Sequence, residues 1–339
     1  MLVIRRSLFA FLMLVTTVFI VATGLFEEYE QQPLYLQQES MPAAKDDTRQ
    51  IAVSASTPAS QPVSTGKPIP TTSPTATTQP TAMPTATPAP FWDDWSYTSG
   101  DLNITIEEVK DDIYLYYVAD VRITDPYMAS IQLKSAFADD RYGRNIRETA
   151  SEMAERKGAI LAINADYYGF HSNGVLIREG KLYRDKPYNK DLLVVARDGT
   201  LYSIPDQDAN ADDLLAQGVR NTFTFGPTLV RDDEIIVNGN RGHNPRTAIG
   251  MIEPGHYLVV VVDGRSQDSR GMTFAQLAQV FYDRGAVFAY NLDGGGSSTM
   301  VFMDRVLNNP SDDLGERRTS DILYFLDLPH ALVQTDSDQ

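Results

Sequence analysis

The chain has 339 residues, no cysteine and a formal net charge of −16. Without cysteine there are no disulfides, thiolate metal sites, catalytic thiols or lipidated cysteine anchors. The charge is also unevenly spread. The first 90 residues hold five basic and six acidic groups, so a net of −15 falls on the remainder, and such a surface repels nucleic acid and anionic membrane at long range.

Arg5 and Arg6 precede an uncharged, mostly apolar run from Ser7 to Phe26, closed by Glu27 and Glu28. Twenty apolar residues reach across a bilayer core as a helix, whereas a cleaved signal peptide has a shorter apolar region and a small-x-small site. Residues 1–30 are therefore read as a membrane anchor, with a signal peptide as the rival, and on either reading the rest is exported. Residues 31–90 form a tether, purest over Thr71–Pro90, where Pro, Thr, Ser and Ala replace large apolar side chains. Such a segment cannot bury enough surface to offset its ordering entropy and is expected to be an extended, disordered linker. The length that remains suits a single globular domain over 91–330, with 331–339 as a disordered tail.

In chain order, Phe91-Trp92-Asp93-Asp94-Trp95 opens the domain as a docked edge. Leu102–Val109 and Ile113–Ile123 read as a hairpin. Asn145–Lys157 has helical spacing with Gly158 as its stop, and Ala159–Ile163 is a buried strand delivering Asn164-Ala165-Asp166. Short strands follow at Val175–Ile177, Leu192–Ala196, Leu201–Ile204 and Thr228–Val230, with a helix over Ala211–Gln217. Arg241–Gly250 (R-G-H-N-P-R-T-A-I-G) leads into another strand. Tyr257–Val262 is a fully apolar strand ending in Asp263-Gly264-Arg265, and Thr273–Arg284 is a helix capped by Thr273. Ala286–Tyr290 then delivers Asn291–Thr299 (N-L-D-G-G-G-S-S-T), Met300–Met303 follows, and Ile322–Leu326 closes the domain. Strand, helix and strand in succession, with both strands apolar, imply a sheet covered on both faces. The expected class is α+β, a mixed β-sheet flanked by helices.

The polar groups collect at strand ends: Asn164, Asp166, His243, Arg246, Asp263, Arg265, Asp293 and the amides of Gly294, Gly295, Gly296 and Ser297. Three consecutive glycines make sense where backbone approaches something closely. Read blandly, this stretch is a turn in which Asp293 caps its own backbone. Arginine forks and glycine amides in an acidic domain point instead to a pocket for a small anion. No G-K-[ST] follows the glycines and a strand comes next, which excludes a P-loop. A carboxylate repels a phosphate, so Asp293 faces an uncharged part of the ligand or a metal. A phosphate joined to a sugar meets both demands.

Asn291–Ser298, with Pro245–Gly250, Asp263-Gly264, Arg270-Gly271, Pro310-Ser311-Asp312 and Arg318-Thr319-Ser320, resembles the phosphodiester glycosidase family over roughly Ala159 to Leu326. The resemblance implies a hydrolase of an α-linked sugar-1-phosphodiester in an extracellular glycan or glycolipid, anchored in the cell membrane with its domain outside. It implies Asp293 as principal catalytic carboxylate with Asp263 or Asp166 assisting and His243 carrying protons. Arg246 and Arg265 would hold the phosphate, Asn164 would orient the sugar, and Arg318 would also bind substrate. Animal members are disulfide-bonded, so their sugar specificity is not carried over to a chain without cysteine. No resident cofactor is implied. Two other readings stand beside this one: a non-catalytic surface module that retains polysaccharide, and a metal-dependent phosphodiesterase whose Asp166, Asp263, Asp293 and His243 hold a divalent cation.

Overall fold

The structure, a computed structural model, describes residues 89–237 and 242–328. The expected anchor, nearly all of the tether and the tail lie outside the described residues, and no helix among the described residues is long and apolar enough to cross a membrane.

Two antiparallel sheets carry the fold. The larger has nine strands, in the spatial order Phe91–Trp92, Ser96–Thr98, Leu102–Lys110, Leu115–Ile123, His256–Val262, Arg246–Glu253, Phe288–Asn291, Thr228–Arg231 and Glu234–Ile235. The second has five: Arg305–Val306, Met300–Phe302, Leu161–Asn164, Asp321–Phe325 and Leu133–Phe137. Side chains of His256–Val262 show how these layers stack. Tyr257, Val259 and Val261 point into a core shared with Leu161, Ile163, Met300, Phe302 and Phe325 of the second sheet. Leu258, Val260 and Val262, on the opposite face by the two-residue period of a strand, pack under Leu277 and Phe281 of the helix Phe274–Tyr282. Ala150, Met153 and Ala154 of the helix Ala150–Lys157 cover the outer face of the second sheet over Ala162, Val301 and Ile322. The order is helix, sheet, sheet, helix. Smaller pieces, a three-stranded sheet (Leu201–Pro205, Asp191–Val195, Asn221–Thr224) and the hairpin Leu176–Arg178 with Lys181–Arg184, sit beside this stack.

The domain is thus sheet-dominated with few helices, and its apolar strands are covered on both faces as expected. The expected mixture of strand directions is corrected: every ladder among the described residues is antiparallel. The reason is an inserted strand. Arg246–Glu253 pairs antiparallel with both His256–Val262 and Phe288–Asn291, so the strand–helix–strand unit joins two like-directed strands that never touch. The expected helix Asn145–Lys157 begins only at Ala150, because Thr149 and Glu152 form a capping box and Asn145 has φ +62°. The Leu102–Lys110 and Leu115–Ile123 hairpin forms as expected. The strand Phe91–Trp92 is the sheet edge, but its rings stay exposed, Trp92 at 53 %.

Candidate active site

The loop Leu292–Thr299 leaves the large sheet after Phe288–Asn291 and enters the second sheet at Met300–Phe302, so it bridges the two layers. Asn164, fully buried, ties both ends of the bridge. Its Nδ2 donates to the Asp293 carbonyl at 2.7 Å, and its Oδ1 accepts from the Thr299 amide at 3.1 Å and the Thr247 hydroxyl at 2.8 Å. Behind the bridge, Asp263 accepts from Asn308 Nδ2 at 3.0 Å and from the Asn309 amide at 3.1 Å. Asn308 in turn accepts from the Met300 amide at 2.8 Å and donates to the Ser298 carbonyl at 2.9 Å. Burial pushes the Asp263 carboxyl up, opposed by Asn308 and Asn309.

Asp166 belongs to a second buried cluster. Arg178 Nη2 donates to Asp166 at 3.1 Å and to Asp321 at 2.8 Å, and all three side chains are at most 3 % exposed. Burial first, then the neighbouring Asp166, push the Asp321 carboxyl well up against the pull of Arg178. The cluster shapes the next turn: Asp321 accepts from the Tyr167 amide at 3.2 Å and Asp166 from the Tyr168 amide at 3.1 Å. Tyr167 is thereby held at φ +60°, an unfavourable conformation for a side chain this large, with its ring stacked on Phe170 at 3.6 Å between centroids.

The glycines bring cations close to Asp293. A Cβ on Gly294 would stand 2.8 Å from the Pro245 carbonyl. One on Gly295 would stand 3.2 Å from Arg265 Nη2, and one on Gly296 only 2.4 Å from Arg317 Nη2. The run is bare because two guanidinium groups lie on it. The expected amide cradle is largely spent inside the loop. The Gly294 amide donates to Asp293 Oδ1 at 2.9 Å, that of Gly295 to the Pro245 carbonyl at 3.0 Å and that of Ser297 to the Gly294 carbonyl at 3.3 Å.

Arg246 supplies a third cation. It is only 8 % exposed and forms no ion pair among the described residues. Its Nε donates to the Met272 carbonyl at 3.0 Å, and the guanidinium stacks on Phe274 at 4.0 Å. Burial first, then Arg265, hold its pKa down to about 10. Arg265 donates to Asn244 Oδ1 at 2.9 Å and is exposed.

Asp293, whose charge Arg317 stabilises, has one oxygen unused. Its Oδ2 is buried and without a hydrogen-bond partner, as are the hydroxyls of Ser297, Ser298 and Thr299. Unpaired buried polar atoms are uncommon and costly, and four of them fall within seven residues here. Burial pushes the Asp293 carboxyl up to about 6. The Ser297 hydroxyl, close but without completing a hydrogen bond, the Gly294 amide and Arg317 pull the other way. Lys190 feels the same charge: burial lowers its pKa, while Asp293 and Asp166 raise it.

Asn164, Arg246, Arg265, Asp293 and Gly294–Ser297 are therefore brought together. Asp166 and Asp263 border the loop with their oxygens engaged by Arg178 and by Asn308 and Asn309. His243 is exposed. Arg318 is turned away, 65 % exposed and 3.8 Å from Glu152, and its neighbour Arg317 takes the position against the glycines. Arg317, Tyr167 and Lys190 are the groups that sequence reading misses. The Arg317-Arg318 pair signals a cation here, but in a loop no periodicity tells which of two adjacent side chains turns inward. The four groups named for a divalent cation do not gather, and no three potential ligands among the described residues form a cluster that could hold one.

The glycine bridge therefore carries one carboxylate, with the Arg265 and Arg317 guanidiniums against its glycines and Arg246 stacked on Phe274 beside Arg265. A model of the phosphodiester glycosidase family matches residues 157–326, and the chain belongs to that family. Among sequence relatives, the uncharacterized SPbeta prophage-derived protein YomE of Bacillus subtilis is 34 % identical over 233 residues, 61 % of this chain and 36 % of that protein. The N-acetylglucosamine-1-phosphodiester alpha-N-acetylglucosaminidase of Bos taurus is 29 % identical over 142 residues, 41 % of this chain and 24 % of that enzyme. The chain thus spans a minor part of the length of these relatives. Among solved structures, the zebrafish N-acetylglucosamine-1-phosphodiester alpha-N-acetylglucosaminidase catalytic domain, auto-inhibited by its pro-peptide, superposes with a TM-score of 0.54 at 24 % identity. That match covers 67 % of this chain and 83 % of the other. A hypothetical protein from Synechocystis gives 0.50 at 15 % identity, covering 67 % and 62 %. At these identities the likeness is one of fold.

The Arg246 stack gives an expected result. Arg246→Lys keeps the charge but loses the planar fork, and is expected to weaken inorganic phosphate binding by about 1–3 kcal/mol, measured by calorimetry. Unchanged affinity would make Arg246 a structural cation only.

Proposed function

We propose that the chain hydrolyses the bond between a sugar and its 1-phosphodiester, releasing free sugar and a phosphate monoester. The observation that carries this is the unpaired Oδ2 of Asp293 on a glycine bridge covered by the Arg265 and Arg317 guanidiniums, with Arg317 acting on its charge and Arg246 next to Arg265. The arginines hold the phosphodiester and neutralise charge on the leaving oxygen. A phosphate ester is a weakly basic leaving group, so departure from C1 needs little protonation. The remaining task is to stabilise positive charge at C1 and admit water on the open side, and Asp293 as an anion meets it. Asp166 and Asp263 act by holding the turn at Tyr167 and the loop at Ser298. Asn164 fixes the bridge, and the Tyr167–Phe170 stack offers an aromatic face for the sugar. The apolar run Ser7–Phe26 with its basic flank supports a membrane-held, extracytoplasmic placement, where envelope glycans or glycolipids are the substrates at hand. Incubation of the chain with UDP-N-acetylglucosamine or an aryl sugar-1-phosphodiester tests the reaction by sugar release. Binding without turnover would leave only a retention module.

The pH dependence follows from Asp293. With its pKa at about 6, above the ordinary 3.8, it is charged only above about pH 6. Turnover is expected to rise through that pH and then level, and the rise should vanish in Asp293→Asn. Stability runs the opposite way. Between pH 3.8 and about 6 the folded chain holds this proton more tightly than the unfolded one, so the group destabilises increasingly as pH rises across that window. A flat rate from pH 5 to 7 would remove Asp293 as the working anion.

A further inference from the structure

Beside the arginines the surface opens into a cleft of about 620 Å³ walled by Phe225, Pro227, Ile236, Val237 and Phe274, with Lys190 at one end. Its two ends belong to the site already described. Phe274 is the ring under the Arg246 guanidinium, and the Lys190 ammonium, 4.9 Å from the Phe225 ring, has its charge stabilised by Asp293. Its floor is tied to the strand before Asp293, because Asn291 exchanges hydrogen bonds with Gly226 at 2.8 and 3.1 Å. The proposed reaction does not use the cleft. The Tyr167–Phe170 stack is a separate aromatic surface near Asp293, whose charge acts on the Tyr167 hydroxyl.

We propose that this cleft binds the group esterified to the far side of the phosphate, and that this group is apolar: an alkyl, isoprenoid or aryl alcohol rather than a second sugar or a nucleoside. The inference rests on the proposed reading of the site as a sugar-1-phosphodiester centre. Its chemistry is complementary at each point. Cations at the mouth take the phosphate, and side chains such as Ile236, 39 % exposed, take hydrocarbon. A sugar or nucleotide would need free hydrogen-bond partners along the wall, whereas its Asp191 and Thr228 are already joined, Asp191 Oδ2 accepting from the Thr228 amide at 3.0 Å and hydroxyl at 2.8 Å, and the other side chains there are those of Phe225, Pro227, Ile236, Val237 and Phe274. Each methylene buried there adds to affinity without demanding a partner.

The test compares methyl phosphate with n-hexyl phosphate by calorimetry on the full chain and on Ile236→Asp and Val237→Ser. Both substitutions lie outside the arginine cluster, and a melting curve for each variant confirms folding. The parent is expected to bind the hexyl ester about tenfold or more tightly than the methyl ester. That preference should fall to about threefold or less in at least one folded variant while methyl phosphate affinity is unchanged. Equal affinities in the parent would overturn the apolar assignment and leave the arginine site standing. A preference unaltered in both folded variants would overturn its location. Failure of either ester to bind would sink the anion centre itself, and the cleft assignment with it.

Discussion

Asp293→Asn is expected to lower turnover of a sugar-1-phosphodiester by roughly 100-fold or more while binding is retained or tightened. Asparagine is nearly isosteric and keeps an acceptor oxygen toward the Gly294 amide, so the bridge should survive. What is lost is the negative charge. In the ground state that charge opposes the bound phosphate, and in the transition state it stabilises the centre developing at C1, so removal acts on the two in opposite senses. The side chain is also the one whose Oδ2 lacks a partner. The substitution therefore relieves a buried charge, and the melting temperature should hold or rise. Product release, calorimetric binding and thermal melting on both proteins decide the matter. Turnover at the parent rate with normal stability would show that Asp293 is not the catalytic carboxylate, and joint loss of stability and both functions would make it a turn cap.

The second large effect is structural. Arg178→Met should cost about 3–5 kcal/mol of folding stability, because it leaves Asp166 and Asp321 buried at close quarters with their cation removed. The Arg178 guanidinium also stacks on Phe223 at 4.1 Å and donates to the Thr222 carbonyl, so three segments lose their common partner. The sign with pH is set by the carboxylates. Asp321 already has its proton affinity raised by burial and by Asp166, and removing Arg178 raises it further. A folded-state pKa above the unfolded one means stability that is lost as pH rises. The variant should therefore lie closer to the parent at pH 5 than at pH 7 in denaturant titrations. Equal stability of parent and variant at pH 7 would show that the triad contributes nothing net. Activity should fall with it, since Tyr167 and the Ala165 carbonyl that accepts from the Asp293 amide both depend on this turn.

How far the sequence carried these conclusions depended on the range over which each pattern acts. The run Tyr257–Val262 is apolar at every position, and that alone required cover on both faces, which the helix and the second sheet provide. The direction of its neighbours was not legible. The intervening partner Arg246–Glu253 is a long-range pairing, and strand pattern specifies a face, not a neighbour. Thr149 and Glu152 are a readable start for the helix at Ala150, but the helical spacing runs back into the polar stretch before them and blurs it. At the site, Asp293 and the glycines stood out because three glycines cost entropy that only a close approach repays. Asn164, Asp166 and Asp263 stood out as strand-end polar groups. What they do was hidden, since Arg178 and Asn308 reach them from other elements. Arg317 was hidden for a simpler reason, its identical neighbour Arg318.

The bridge from Asn291 to Met300 also bears on how such a chain can diverge. Its floor is main chain with no side chain at three successive positions and both ends locked into different layers: a side chain would meet the Pro245 carbonyl at Gly294, strain the positive φ of Gly295 or displace Arg317 at Gly296, so most substitutions there disturb it. The walls are another matter. Ile236 and Val237 on one flank and Phe170 on the other are at least partly exposed and can change size or polarity without touching the floor. Selection can therefore retune which molecule is accepted while the means of breaking it stays frozen, and descendants of one such ancestor would differ in diet long before they differ in chemistry.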